Sequence, residues 1–358
     1  MALKMGIVGA GMVTRSAPDS IRKHGDAQLV AAYDPHAERL AEFKEKGEIP
    51  RTHDSLEAFL ADDEVEAVYV AVPNKFHAPI ALDVLRSGRH LMLDKPFAFN
   101  YADAKEVVDT AKEVGKTFCL GMNYRLTKGR QRVRKLVQDG ALGEVYHAKG
   151  YWFRRAGIPR MQTWFGHKEL SGGGCLLDIG VHMLDLTMFM ADNYRPTSVL
   201  GKTYGKFGHR GQGEGGWGLS DRDPAMTFDV DDFASAFITF ENGMTASLDV
   251  SWAAYQEDAN VDGCRLFGTE AGAAVDPAKL FTRPDPQGDF VVQELDDESG
   301  VDVKYPHCDR FHNFINSVLG REELCFEPGQ ALVVQKVLDA IYESSQTGKQ
   351  VDIQPEDN

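Results

Sequence analysis

The chain has 358 residues, enough for two domains with separate cores, and its 43% hydrophobic and 26% charged content is ordinary globular usage. A formal charge of −15 argues against a nucleic-acid partner, which needs a basic surface. Five scattered cysteines suggest free thiols in a reducing cytoplasm, and no run of about 18 apolar residues marks a membrane span.

Residues 4–9 (KMGIVG) form a short apolar run that predicts a first strand, and residues 9–14 turn from it into a helical segment. Further apolar runs follow at 29–33, closed by Asp34-Pro35, and at 65–72, closed by Pro73-Asn74. Two more lie at 90–93, closed by Asp94-Lys95-Pro96, and at 117–120. Helical patterns fall between them at 56–62, 78–87 and 101–114. Short buried strands alternating with amphipathic helices predict βαβ units around a parallel sheet, the Rossmann arrangement. The expected boundaries are 1–122 for this nucleotide-binding domain and 123–358 for a second α/β domain.

The first turn reads G-x-G-x-x-T, from Gly9 through Gly11, Met12 and Val13 to Thr14. Gly9 suits the tight turn, and Gly11 lets the backbone approach a pyrophosphate. Thr14 stands where the third glycine is usual. Asp34 ends the second predicted strand, where a carboxylate favours the ribose hydroxyl of NAD and repels the extra phosphate of NADP. NAD is therefore the expected cofactor, with NADP disfavoured.

Residues 125–137 predict a connecting helix, and 145–154 (VYHAKGYWFR) a strand ending in Arg154-Arg155. The irregular, aromatic-rich stretch 155–171, with Trp164, is a candidate pocket wall, because rings stack on sugar faces and arginines donate to hydroxyls or phosphates. Three glycines at 172–174 then lead into a helical segment carrying Asp178 and His182, four residues apart and so on one helix face. Taken alone, that spacing fits a catalytic pair, a metal half-site or a polar spot on a packed helix.

The Gly- and Asp-rich stretch 207–228 predicts a long surface loop. Residues 232–240 and 244–252 flank Asn242-Gly243, a strong hairpin signal, and further strands are predicted near 264–268 and 290–295. The pattern around His307, Cys308 and His312 reads as a buried helical stripe capped by Asp309, and no third ligand accompanies Asp178 and His182, so no metal is expected. Residues 329–346 predict a structural helix ending at Gly348.

Four segments in order, Val72-Pro73-Asn74-Lys75-Phe76-His77, Leu93-Asp94-Lys95-Pro96, Gly121-Met122-Asn123-Tyr124-Arg125 and the 172–182 stretch, resemble the Gfo/Idh/MocA family of oxidoreductases. The resemblance spans nearly the whole chain, with Asp94 where the family's Glu-Lys-Pro signature carries a glutamate. It implies a Rossmann domain followed by an α/β domain on a large, mostly antiparallel open-faced sheet, and a homodimer or homotetramer associating through that sheet. It also implies Lys95, Asp178 and His182 as catalytic residues. Val72, Pro73, Asn74, His77, Asp94 and Asn123 would lie at the cofactor, with Tyr124, Arg154, Arg155 and Trp164 facing the substrate.

The chemistry is coherent on the residues alone. Oxidising a secondary alcohol needs a proton acceptor at the hydroxyl while hydride leaves carbon, and a neutral imidazole suits that transfer. A carboxylate such as Asp178 could orient the ring, and a lysine such as Lys95 could stabilise alkoxide charge or itself act as the base. The expected activity is NAD-dependent oxidation of a sugar, glycoside or polyol. Two alternatives share this fold: net non-redox glycoside cleavage or epimerisation with recycled NAD, and a non-catalytic NAD-responsive regulator.

Overall fold

The computed structural model describes residues 2–285 and 287–354 and arranges them around two sheets. The first contains β1 (Leu3–Val8), β2 (Ala27–Tyr33), β3 (Arg51–Thr52), β4 (Ala67–Val70), β5 (His90–Leu93) and β6 (Phe118–Leu120), all parallel, in the order β3-β2-β1-β4-β5-β6. Strands covered by crossover helices are apolar without alternation, and β4 is buried at all four positions. The order reverses between β1 and β4, and open α/β sheets bind ligands outside the carboxyl ends of their strands at such a point.

The first helix differs from the sequence expectation. Residues 11–16 form turns, and the helix runs Ala17–His24 with Pro18 in its first turn. The helix Ala37–Gly47 and the short β3 gave no readable pattern; His36 caps that helix by accepting the Arg39 N–H.

The second sheet contains β7 (Val145–Arg154), β8 (Pro196–Tyr204), β9 (Phe233–Phe240), β10 (Thr245–Ser251), β11 (Asn260–Gly268), β12 (Ala271–Val275), β13 (Ala278–Thr282), β14 (Val291–Glu294) and β15 (Val351–Asp352). Their order is β14-β13-β12-β11-β7-β10-β9-β8-β15. Every pairing is antiparallel except that of β7 with β10. The predicted hairpin forms as β9–β10, with Thr245 opposite Thr239 and Gly243 at φ +84° in the turn.

One face of this sheet packs on the helices Val181–Ala191 and Pro328–Thr347. Gly150 of β7 admits Thr187, and Gly201 of β8 admits Ile341; a Cβ at either would collide. The stretch Lys168–Ala191 is long and apolar enough to cross a membrane on length and composition, but 94% of its apolar window is buried in the protein, as in a core helix. The opposite face leaves Leu200, Phe237 and Phe267 exposed.

Candidate active site

A cavity of about 990 Å³ lies at the carboxyl edge of the first sheet and extends to the second domain. Gly9, Gly11, Met12, Val13 and Asp34 line one end, and Lys95, Asp178, His182, Trp152 and Arg154 line the other. Val72, Pro73, Asn74, His77 and Asp94 lie between them.

At the first end, Gly9 has φ +104°, and a Cβ there would lie 2.1 Å from the Ala71 carbonyl oxygen, so the turn requires glycine. Gly11 has nothing within 4 Å of a built Cβ, which marks open cavity beside the backbone. Among the described residues, the N–H groups of Gly11, Met12 and Val13 have no hydrogen-bond partner, and unpaired N–H groups converging on a turn form an anion cradle. Asp34 Oδ2 accepts from Ala10 N and Oδ1 from His36 N, each at 2.8 Å, which aims the buried carboxylate while leaving further lone pairs for ligand hydroxyls. These residues fit a dinucleotide.

The middle wall is tied to both domains. Asn74 Nδ2 donates to Ser171 O at 2.7 Å across the domain junction. His77 Nδ1 lies 2.6 Å from Pro96 O and Nε2 lies 2.9 Å from Val72 O, so the ring sits between two cavity loops; burial pulls its pKa below the ordinary 6.5 against the two carbonyls, and the neutral ring donates to one of them. Asp94 turns its carboxylate away from the cavity. Its Oδ2 accepts from Tyr69 Oη and from Arg310 (3.3 Å), while Oδ1 accepts the Lys95 N–H at 2.7 Å. Opposing burial, Arg310 and the Tyr69 hydroxyl hold that carboxyl below the usual range.

At the second end, Lys95 Nζ donates to Asp178 Oδ1 at 2.7 Å and to Asp178 O at 2.9 Å. Trp252 Nε1 donates to Asp178 Oδ2 at 2.8 Å. His182 packs its ring on Tyr124, with centroids 4.7 Å apart, and on Trp152 at 6.3 Å. Its Nδ1 is fully buried with no partner among the described residues. Burial drives the His182 pKa well below 6.5, and the nearby cations Lys95, Arg310, Arg154 and Arg130 add to the shift, so the imidazole is neutral at pH 7.

Against known proteins, the family model for GFO/IDH/MocA oxidoreductases with an NAD-binding Rossmann fold matches residues 3–122, and that for the GFO/IDH/MocA C-terminal domain matches residues 130–274. The chain belongs to this family. Its first domain is an NAD-binding Rossmann domain, in accord with the sequence reading. The chain is 31% identical over 357 residues to the D-glucoside 3-dehydrogenase of Escherichia coli K12, covering 98% of this chain and 97% of that protein. An NAD-binding protein from Listeria innocua is 25% identical, with a TM-score of 0.78 over 98% of this chain and 97% of its own. A levoglucosan dehydrogenase solved with NADH and levoglucosan shares the fold at a TM-score of 0.84 and 19% identity, covering 99% of this chain and 100% of its own.

In this GFO/IDH/MocA oxidoreductase, several expected residues stand elsewhere than the sequence suggested. Asn123 is exposed and outside the cavity wall. Arg155 is exposed and donates to Gln256 O and Glu257 O, because successive side chains of a strand point to opposite faces and Arg154 takes the inward one. Tyr124 supports the His182 ring from behind instead of lining the cavity, whereas Trp164 does line it.

Asp178 does not orient His182. Residues Leu176–Gly180 are wound as a π-helix, and both oxygens of the carboxylate are committed elsewhere, Oδ1 to Lys95 and Oδ2 to Trp252. Gly173 and Gly174 are bare because protein packs against them. A Cβ on Gly174 would meet Asp231 O at 1.8 Å, and one on Gly173 would meet Tyr342 Oη at 2.2 Å. Trp252, Arg310, Tyr69 and Asp231 were not foreseen; each acts through a contact made across more than 20 residues of chain.

Proposed function

We propose that this oxidoreductase removes hydride from a secondary hydroxyl-bearing carbon of a sugar, glycoside or polyol, using NAD in preference to NADP. D-glucosides are the first class to test, since the full-length E. coli relative is named for them. The observation that carries the reading is the Lys95–Asp178 ion pair beside a neutral His182, at the far end of the cavity from the Gly11–Asp34 cradle.

Bound NAD supplies the hydride acceptor at this site. The protein's own groups handle the proton. Neutral His182 accepts a hydrogen bond, and then the proton, from the substrate hydroxyl. Lys95 Nζ, fixed by Asp178, points positive charge at the oxygen as it becomes an alkoxide. The cations that disfavour an imidazolium at His182 also favour that alkoxide, so proton acceptance and oxygen stabilisation fall to different residues. Asp34 selects the cofactor through its ribose, and Trp164 offers a face to a sugar ring. The open sheet face with Leu200, Phe237 and Phe267 supports association into a homodimer or homotetramer, which the molar mass in solution, measured by light scattering, would reveal.

The purified protein, given NAD and a panel of methyl glucosides, other pyranosides and inositols, is expected to build up reduced nicotinamide absorbance with at least one. No turnover across the panel would overturn the reading. Aglycone release without reduced cofactor would instead favour a cycle in which NAD is regenerated in place.

A further inference from the structure

Arg154 ends β7 and lines the cavity, with its guanidinium carbon 4.4 Å from the centre of the Trp152 ring. Its stem is confined from the other side. A Cβ on Gly157 would lie 2.3 Å from Arg154 Cδ and 3.0 Å from Arg154 Cβ, so a bare backbone is what makes room for it. Stacking on one side and backbone on the other hold the guanidinium in place before any ligand arrives.

Among the described residues, nothing in the protein answers that guanidinium. No carboxylate lies within 4.0 Å of it, and no acceptor takes its N–H groups. The cations around it are all engaged: Lys95 with Asp178, Arg130 with Asp276, Arg310 with Asp94. On the facing strand Asn260 is engaged, and the Asp262 carboxylate lies more than 4.0 Å from the guanidinium. Asn260 Oδ1 accepts from Trp152 Nε1 at 2.8 Å, and Asp262 Oδ1 accepts from Asn260 Nδ2 at 3.3 Å. In a chain with 54 acidic and 39 basic residues, the missing partner does not reflect a shortage of acids.

A half-buried fork of five donors needs acceptors from whatever fills the cavity, and two oxygens of a carboxylate or phosphate match it best. We propose that Arg154 receives an anionic group of the substrate, a carboxylate or a phosphate monoester, so that the site favours an acidic sugar over a neutral one. The inference rests on the dehydrogenase reading for the sugar and adds its charge. It also bears on the proton acceptor, because Arg154 is one of the cations opposing an imidazolium at His182, and an anion on Arg154 offsets that opposition.

The test gives the protein methyl glucoside, methyl glucuronide and methyl glucoside 6-phosphate, with turnover followed in NAD and affinity measured by calorimetry on the NADH-saturated protein. At least one acidic sugar is expected to exceed the neutral one by about 10- to 100-fold in kcat/KM and in affinity, and the better of the two identifies the anion. Arg154→Met should bring the ratio close to one, and Arg154→Lys, which keeps the charge but loses the fork, should retain part of it.

Equal or better handling of the neutral sugar, or a preference that survives Arg154→Met, overturns the proposal. So does an Arg154→Met protein that loses NADH affinity with an unchanged sugar ratio, which would place Arg154 on the cofactor. If no sugar is oxidised but an acidic one binds in an Arg154-dependent way, the anion site stands and the dehydrogenase reading falls.

Discussion

Gly11 in the first glycine-rich turn has nothing within 4 Å of where a Cβ would sit, whereas a Cβ on Gly174 in the second would lie 1.8 Å from the Asp231 carbonyl oxygen. Both turns border the same cavity, yet the first is open to a ligand and the second is closed by protein. Asp231 explains the closure. Its Oδ1 accepts from Gly174 N at 2.8 Å and its Oδ2 from Leu176 N at 2.9 Å, which caps the segment carrying Asp178, while Tyr342 Oη donates to Oδ1 at 2.8 Å. Glycine at the first turn leaves open cavity beside the backbone; at the second it admits packing that holds the Asp178 segment in place.

The sharpest way to break this contrast is to add a methyl group to each turn. Gly174→Ala is expected to destabilise the protein by about 3 kcal/mol or more, since backbone must move to admit it. Gly11→Ala should change stability by no more than about 0.5 kcal/mol and weaken NADH binding instead. Thermal melts and a fluorescence titration with NADH separate the two. A Gly174→Ala protein that melted like the wild type would remove the packing argument.

The next largest effect distinguishes the ends by function. If the ring takes the substrate proton as proposed, His182→Ala should lower kcat by about 10²–10⁴-fold and leave NADH affinity nearly intact. Asp34→Ala should do the opposite on a smaller scale, cutting the preference for NAD over NADP by about tenfold with a modest change in kcat. Equal loss of NADH affinity in both variants would mean that the two ends are not separate.

The two ends were also unequally legible in the sequence. Gly9, Gly11 and Asp34 were readable because each sits at the carboxyl end of an apolar run, and strand, turn and helix are local patterns. The strands β5 and β7 were readable to the residue for the same reason. The catalytic end draws on contacts whose partners are far apart in the chain. Trp252 reaches Asp178 over 74 residues, and Arg310 reaches Asp94 over 216. No local pattern announces that Asp178 will serve Lys95 and not His182; a helical spacing of four suggests the opposite, and the partners that take both carboxylate oxygens, Lys95 and Trp252, lie far off in the chain. The strands β8 and β13 escaped because their apolar residues are interrupted by Gly, Lys and Thr, and β12 because alanine and glycine, weak strand formers, make up all of it but Val275.

The smallest expected effect tests whether His182 is neutral because it is buried among cations. Its folded-state pKa lies well below the ordinary 6.5, so below about pH 6.5 the unfolded chain takes up a proton that the folded site refuses. Here ν_U exceeds ν_N, and stability therefore rises with pH. The contribution is fully present above about pH 6.5 and is lost progressively as pH falls toward the folded value. His77, also depressed by burial, acts in the same direction and remains in any His182 variant. Removing His182 should therefore reduce the acid sensitivity without abolishing it. Urea unfolding at a series of pH values between about 7 and 5 is expected to show a shallower decline for His182→Gln than for the wild type, by up to about 1.4 kcal/mol per pH unit. Parallel declines would mean that His182 takes up its proton in the folded protein as readily as in water, and the cations lining this end of the cavity would then not be excluding it.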